Sequence, residues 1–133
     1  MTTLDQLPTP SLIVDLDKLE ANISRMADKS KRLGVGLRPH IKTHKCIEIA
    51  RLQQKAGARG LTVSTLYEAR IFADHGFDDL TWAFPIILNR ASEFRELAER
   101  IDLRLVVDSL TAVDVLEAQN CPFHVFLKVD CGY

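Results

Sequence analysis

A short cationic stretch carries the residues in this sequence whose types and spacing could do chemistry. Arg38, His40 and Lys42 alternate with apolar residues, so in extended chain their side chains would share one face. The chain is leaving a predicted strand here, and parallel α/β proteins place their chemistry at the carboxyl ends of strands. A lysine that is desolvated beside cationic neighbours gives up its proton more readily and can then form a Schiff base with a carbonyl compound. We therefore predict that Lys42 is a covalent catalytic amine.

Less specific interpretations of the same stretch have to be weighed against this one. Lys42 could be an ordinary solvated loop lysine, and composition alone favours that alternative. Lys45 is a weaker candidate for the amine because it lies further from the strand, where a helix begins. His40 and His44 could bind a metal, but two histidines without a nearby carboxylate make an incomplete site, so we predict no metal ligands here. The sequence has no dinucleotide-binding glycine motif, phosphate loop or nucleophile elbow.

The elements that must position Lys42 alternate regularly between strands and helices. Apolar segments predict strands centred near residues 37, 62, 82, 105 and 126. Apolar residues at helical spacing predict helices over 45–56, 66–75 and 93–100, and a further helix capped by Asp108 or Ser109. This alternation is typical of a parallel sheet with a helix in each crossover.

Residues 1–15 are predicted to form an entry arm and a short strand. Two prolines favour irregular backbone in residues 1–10, and the apolar run at 11–14 is typical of a strand. Asp15 or Asp17 can cap the helix that follows, which should end at Gly34.

Two architectures fit this alternation. One is an open, doubly wound sheet of about five strands, which would be complete as it stands. The other is the N-terminal part of a parallel (β/α)8 TIM-type barrel with about five βα units, since a whole barrel takes about 250 residues. The chain stops directly after a predicted strand with no covering helix, which favours the barrel. We therefore expect residues 1–133 to be an incomplete α/β barrel domain.

Composition narrows the class of protein. Hydrophobic residues make up 47% and charged residues 26% of the chain, as in ordinary globular domains. A net charge of −1 with dispersed Lys and Arg gives no indication of a nucleic-acid partner. We see neither a signal segment nor an apolar run near about 18 residues, so no membrane partner is expected. Cys46, Cys121 and Cys131 lack C-x-x-C spacing, which favours free thiols and a cytoplasmic location.

Residues 37–45, Leu-Arg-Pro-His-Ile-Lys-Thr-His-Lys, resemble the motif of the D-threonine aldolase and D-serine dehydratase family. These are pyridoxal-phosphate enzymes with an alanine-racemase-like barrel. Residues 7–17, 60–69 and 127–133 are also similar to family segments, in the same order along the chain. The motif at 37–45 is specific and the other segments are looser, but together the resemblance covers essentially the whole chain.

The resemblance implies a role for each residue of the cationic face. Lys42 matches the family lysine that holds pyridoxal phosphate as a Schiff base, and His40 and Arg38 would line the same face and tune it electrostatically. The substrate would be a D-amino acid, with the cofactor as electron sink. The resemblance also implies a homodimer at full length and a divalent metal whose ligands lie near the carboxyl end of the family enzymes, outside this chain.

Three functions remain open at this point. The first is a pyridoxal-phosphate-dependent lyase of the D-serine dehydratase or D-threonine aldolase type, or a racemase, acting through Lys42. The second is a non-catalytic pyridoxal-phosphate-binding protein of the same barrel type. The third is a self-sufficient doubly wound binding module in which Lys42 is only a loop residue. Because the family enzymes are roughly three times as long, we expect residues 1–133 alone to be inactive or nearly so.

Overall fold

A parallel sheet of four strands is the central element of the computed structural model, which describes residues 3–132. The strands are β1 (Leu61–Val63), β2 (Asp79–Pro85), β3 (Asp102–Val107) and β4 (His124–Leu127). The segment before Lys42 extends this sheet on the free side of β1. There His40 makes a parallel bridge with Thr62, and the Thr62 N–H donates to Pro39 O at 2.9 Å.

The order of the strands decides between the two predicted architectures. Each strand pairs with the next one in sequence, in the order β1-β2-β3-β4, and all pairs are parallel. A doubly wound sheet instead reverses its strand order at a switch point. Consecutive parallel pairing is how a (β/α)8 barrel begins. The prediction of a partial α/β barrel is confirmed, and the doubly wound alternative is wrong.

Five α-helices accompany the strands in the described part of the chain, and none of them is long and apolar enough to cross a membrane. Their bounds are α1 (Leu16–Leu33), α2 (Ile47–Lys55), α3 (Leu66–Asp74), α4 (Ala91–Ala98) and α5 (Leu110–Glu117). Asp15, rather than Asp17, caps α1 by accepting from the Lys18 N–H, and Gly34 ends it in a left-handed conformation. Ser109 caps α5 in the same way.

Two predicted strands are not formed. Residues 11–14 contain no strand, and Leu12 is 94% exposed, because no described strand lies beside this apolar run to pair with it. The strand predicted near residue 37 is reduced to the bridge at His40. Of the predicted entry arm, residues 1 and 2 lie outside the described residues, and Leu4–Gln6 forms one short 3-10 helix.

The hydrophobic core lies between one face of the sheet and helices α2 to α5. Alternate strand residues point into it, and Trp82 of β2 packs edge-on against Phe94 of α4 with ring centroids 4.9 Å apart. The opposite face of the sheet is polar, with Thr62, Thr81 and Arg104 in register across β1, β2 and β3. That polar face continues towards the segment that carries Lys42.

Candidate functional site

Lys42 lies in a short 3-10 helix, Ile41–Thr43, directly after the bridge that joins His40 to the sheet. Ile41 is fully buried in the core, and its carbonyl accepts from the backbone N–H groups of His44 and Lys45 at 3.1 and 2.7 Å. The buried Ile41 side chain therefore anchors the turn to the core, while the side chain of Lys42 is exposed. This places the amine where the segment beside β1 ends, as the sequence predicts.

His40 is the residue that connects this turn to the loop after β1. Its Nδ1 accepts from the Lys42 backbone N–H at 3.3 Å, and its Nε2 lies 3.1 Å from Ser64 Oγ. Because Nδ1 is an acceptor, a neutral ring carries its proton on Nε2 and donates it to the Ser64 hydroxyl. Burial, and then the charge of Lys42, lower the pKa of His40 below its ordinary 6.5, so the ring is neutral at pH 7.

This geometry predicts a pH dependence. As the pH falls through about 6.5, the unfolded chain takes up a proton at His40 before the folded chain does, so the free energy of unfolding should decrease. A protonated ring would also turn Nδ1 into a donor facing the Lys42 N–H. Denaturant unfolding between about pH 8 and pH 5 checks this. The slope should be smaller in His40→Asn than in the wild type, and equal slopes would contradict the assignment.

Lys45 and Lys42 differ in their surroundings, although both belong to the cationic stretch. Lys45 has a left-handed backbone conformation, with φ of 48°, and its Nζ lies 3.2 Å from Oε1 of the buried Glu68. Within residues 3–132, no carboxylate lies within ion-pair distance of the Lys42 amine. Lys42 therefore has the more available amine of the two, and its role as the catalytic amine stays a prediction.

Arg38, which we expected to line the same face as Lys42, binds a carboxylate of β2. Its guanidinium makes two bonds to the Asp79 carboxylate, at 2.5 and 2.7 Å, at the start of β2. His40 and Lys42 lie instead beside the end of β1, so Arg38 does not form one cluster with them. Arg38 as a cofactor-binding residue stays a prediction, with the qualification that its charge is already balanced by Asp79.

Arg38 is one end of a row of charged side chains on the polar face of the sheet. Asp79 also pairs with Arg104, Arg104 lies 2.6 Å from Asp102, and Asp102 lies 3.1 Å from Nδ1 of His124. We refer to this set as the inner-face charge row; it consists of Arg38, Asp79, Arg104, Asp102 and His124. Although burial opposes it, the pairing with Arg38 and Arg104 holds the pKa of Asp79 below its ordinary value. The row joins the Lys42-bearing segment to β2, β3 and β4.

Gly60 makes room for the pair between Arg38 and Asp79. A Cβ at this buried position would lie 2.7 Å from the Asp79 carbonyl oxygen and would overlap the Arg38 guanidinium. We expect Gly60→Ala to lower the free energy of unfolding by about 2 kcal/mol, because backbone as well as side chains must shift. Gly36→Ala is the control, since its nearest neighbour is the movable Arg59 side chain at 3.1 Å. Equal losses in denaturant unfolding would contradict this account.

Two further features bear on what the site could hold. His44, Gln53 and apolar residues of α1 and α2 line a cavity of about 390 Å³ next to the Lys42 turn. Burial lowers the pKa of His44, although its contact with Gln53 opposes the shift. Within residues 3–132, no group of three or more His, Cys, Asp or Glu side chains is arranged to hold a metal ion.

The contacts of three further residues, Ser64, Glu68 and Asp79, were not predicted from the sequence. Thr65 and Glu68 form a Thr-x-x-Glu capping box at the start of α3, in which Thr65 Oγ1 accepts from the Glu68 N–H. The Ser64 N–H also donates to Glu68 Oε2. The capping-box spacing is visible in the sequence, but its link to His40 and Lys45 is not. Asp79 gave no local signal, because its partner Arg38 lies 41 residues away.

Known proteins similar to this chain place it in a family. A family model described as the N-terminal domain of alanine racemase matches residues 14–133. The chain belongs to the alanine racemase N-terminal domain family. Within that family it is 40% identical, over 96% of its length, to the D-threo-3-hydroxyaspartate dehydratase of Delftia sp. (strain HT23). It is 34% identical, over 98% of its length, to the D-serine dehydratase of Schizosaccharomyces pombe.

Solved structures of the family superpose closely on the chain. The D-threonine aldolase from Filomicrobium marinum gives a TM-score of 0.91 at 31% identity, with 97% of this chain and 36% of that one covered. The Delftia dehydratase also gives 0.91, at 39% identity, with 96% and 35% covered. The chain thus spans about a third of the length of these relatives, 35% of the Delftia sequence and 34% of the yeast one. The fold prediction is confirmed.

Proposed function

We propose that the protein is a pyridoxal-phosphate-dependent lyase that acts on D-amino acids, of the dehydratase or aldolase type, and that Lys42 holds the cofactor. The observation that carries this proposal is an exposed amine at the end of the segment beside β1, next to a neutral imidazole. Relatives named as dehydratases and aldolases of D-amino acids support the substrate class. They favour a lyase over a racemase or a cofactor carrier.

The residues around Lys42 fit an aldehyde cofactor. A primary amine binds an aldehyde covalently most readily when it is accessible and not held by a carboxylate, and the Lys42 amine meets both conditions among the described residues. When bound, pyridoxal phosphate supplies an electron sink for negative charge that develops on the amino acid. Lys42 would hold the cofactor, and its amine would afterwards be available to accept or return a proton.

His40 and Ser64 have supporting roles in this proposal. His40 orients the turn through the Lys42 backbone N–H and can hold a proton at Nε2, within reach of Ser64 Oγ at 3.1 Å. Because the ring is neutral at pH 7, it adds no second positive charge beside the Lys42 amine. We therefore propose His40 as the residue that fixes the position of Lys42.

The remaining parts of the proposal concern the whole protein. Residues 1–133 would form an incomplete barrel domain, with little or no activity alone, and the whole protein would be a homodimer. Any divalent metal would take its ligands from outside this chain. Cys46, Cys121 and Cys131 are free thiols, which supports a reducing, cytoplasmic location.

The test uses the whole protein, of which residues 1–133 would be a part, loaded with pyridoxal phosphate. Borohydride reduction followed by peptide mapping should place the pyridoxyl group on Lys42. Incubation of the loaded, unreduced protein with D-serine, D-threonine and D-threo-3-hydroxyaspartate should release ammonia and a keto acid if the enzyme is a dehydratase, or glycine and an aldehyde if it is an aldolase. Racemised amino acid as the only product would favour the racemase. Cofactor binding at Lys42 without any product would identify a carrier.

A further inference from the structure

Lys42 lies in the 3-10 helix Ile41–Thr43, and Lys45 follows two residues after its end, so the same turn carries two exposed lysines. Spacing alone would therefore offer an aldehyde two similar amines. We propose that Glu68 is a positioning residue that determines which of them is used, by holding Lys45 in an ion pair and leaving Lys42 available. This inference rests on the proposed function, because it concerns the choice of the lysine that holds the cofactor.

The first contact of Glu68 is with Lys45 itself. Glu68 is only 5% exposed, and its Oε1 lies 3.2 Å from Lys45 Nζ. A buried carboxylate needs a cation or hydrogen-bond donors. Breaking the ion pair would leave the buried charge of Glu68 less well compensated, and this favours keeping the pair. Lys45 also adopts a φ of 48°, which is uncommon for a residue other than glycine. We attribute this conformation to the turn that directs the Lys45 side chain to Glu68.

The second contact of Glu68 is with the loop after β1. Its Oε2 accepts from the backbone N–H groups of Ser64 and Thr65, at 2.8 and 3.3 Å. Ser64 Oγ in turn lies 3.1 Å from His40 Nε2. One carboxylate thus connects Lys45 with the loop that contacts His40, and Lys42 lies between these two residues in the sequence.

The charge of Glu68 is maintained by the same contacts. Burial raises its pKa, but the Ser64 N–H, Lys45 and the Thr65 N–H together outweigh burial, so the pKa lies below the ordinary value. Glu68 is therefore ionised at neutral pH. A glutamine would keep its shape and could still accept the backbone N–H groups, but it would lose the charge that holds Lys45.

The test compares Glu68→Gln with the wild type, both loaded with pyridoxal phosphate and reduced with borohydride. We expect the wild type to carry the pyridoxyl group on Lys42, and Glu68→Gln to divide it between Lys42 and Lys45. The pH profile of the visible absorption band should also change in the variant. In Glu68→Gln with Lys45→Met the label should return to Lys42 alone. Glu93→Gln is the matched control, since Glu93 is also an ion-paired carboxylate in the first turn of a helix.

Label on Lys42 alone in Glu68→Gln, with an unchanged pH profile, would overturn the inference and leave the proposed function intact. Absence of label from Lys42 in the wild type would overturn the proposed function. If Glu68→Gln does not fold, competitive acetylation of the wild type decides. Lys45 should then react about fivefold more slowly than Lys42, because the ion pair with Glu68 makes the Lys45 amine less available. Equal rates would overturn the inference.

Discussion

If the proposed function is right, replacing Lys42 by alanine in the whole protein should remove covalently held pyridoxal phosphate and lower turnover of D-amino acids by about 10³-fold. The variant loses both the amine that holds the cofactor and a group that can exchange a proton with the substrate. Absorption spectroscopy after desalting measures the first effect, and product release under saturating cofactor measures the second. The fold should be unaffected, because the side chain of Lys42 is exposed and outside the core.

The control for this experiment is Lys29→Ala, which removes an exposed lysine of α1 that is separated from the turn in sequence. That variant should keep the cofactor and the wild-type rate. Lys42→Ala protein that still retains cofactor and turns over D-amino acids normally would show that another residue is the catalytic amine. Added small primary amines should partly restore the rate if the missing function is proton exchange.

Replacing Asp79 by alanine should lower the free energy of unfolding by about 3 kcal/mol, because two guanidinium groups would lose their common partner. Asp79 binds Arg38 and Arg104 together, and its side chain is only 23% exposed. Arg38 is two residues before His40, so the loss should also loosen the segment that carries Lys42. Denaturant unfolding at neutral pH measures the change.

An exposed ion pair supplies the comparison. Asp74 lies 2.5 Å from Arg100, with side chains 58% and 52% exposed, so Asp74→Ala should cost about 0.5 kcal/mol. If Asp79→Ala costs no more than Asp74→Ala, the inner-face charge row does not hold the segment before Lys42 in place.

The sequence predicts those features that depend on the spacing of residues close together along the chain. The position of Lys42 followed from a cationic stretch at the end of an extended segment, and α1 followed from its apolar spacing, its cap and Gly34. The apolar run at 11–14 misled, because hydrophobicity signals a strand only if a neighbouring strand is there to pair with it.

The rest depended on contacts distant in sequence or on unusual backbone. The ion pair between Arg38 and Asp79 joins residues that are 41 positions apart, and it requires the close approach of the backbone at Gly60. The ion pair between Lys45 and Glu68 requires a left-handed residue other than glycine, which spacing does not reveal. The order of the strands could be expected only as one of two alternatives, because both architectures repeat the same βα unit.

The consecutive strand order has a consequence for how the chain acquires its structure. Every strand's partner is the next one along, so each pairing closes a loop only one helix long, and the entropic cost of that closure grows slowly with length. A sheet of this kind has low contact order for parallel pairing. Such a sheet can be assembled one unit at a time as the polypeptide emerges from the ribosome. The segment that carries Lys42 is synthesised first, and β1 is the first strand that can pair with it.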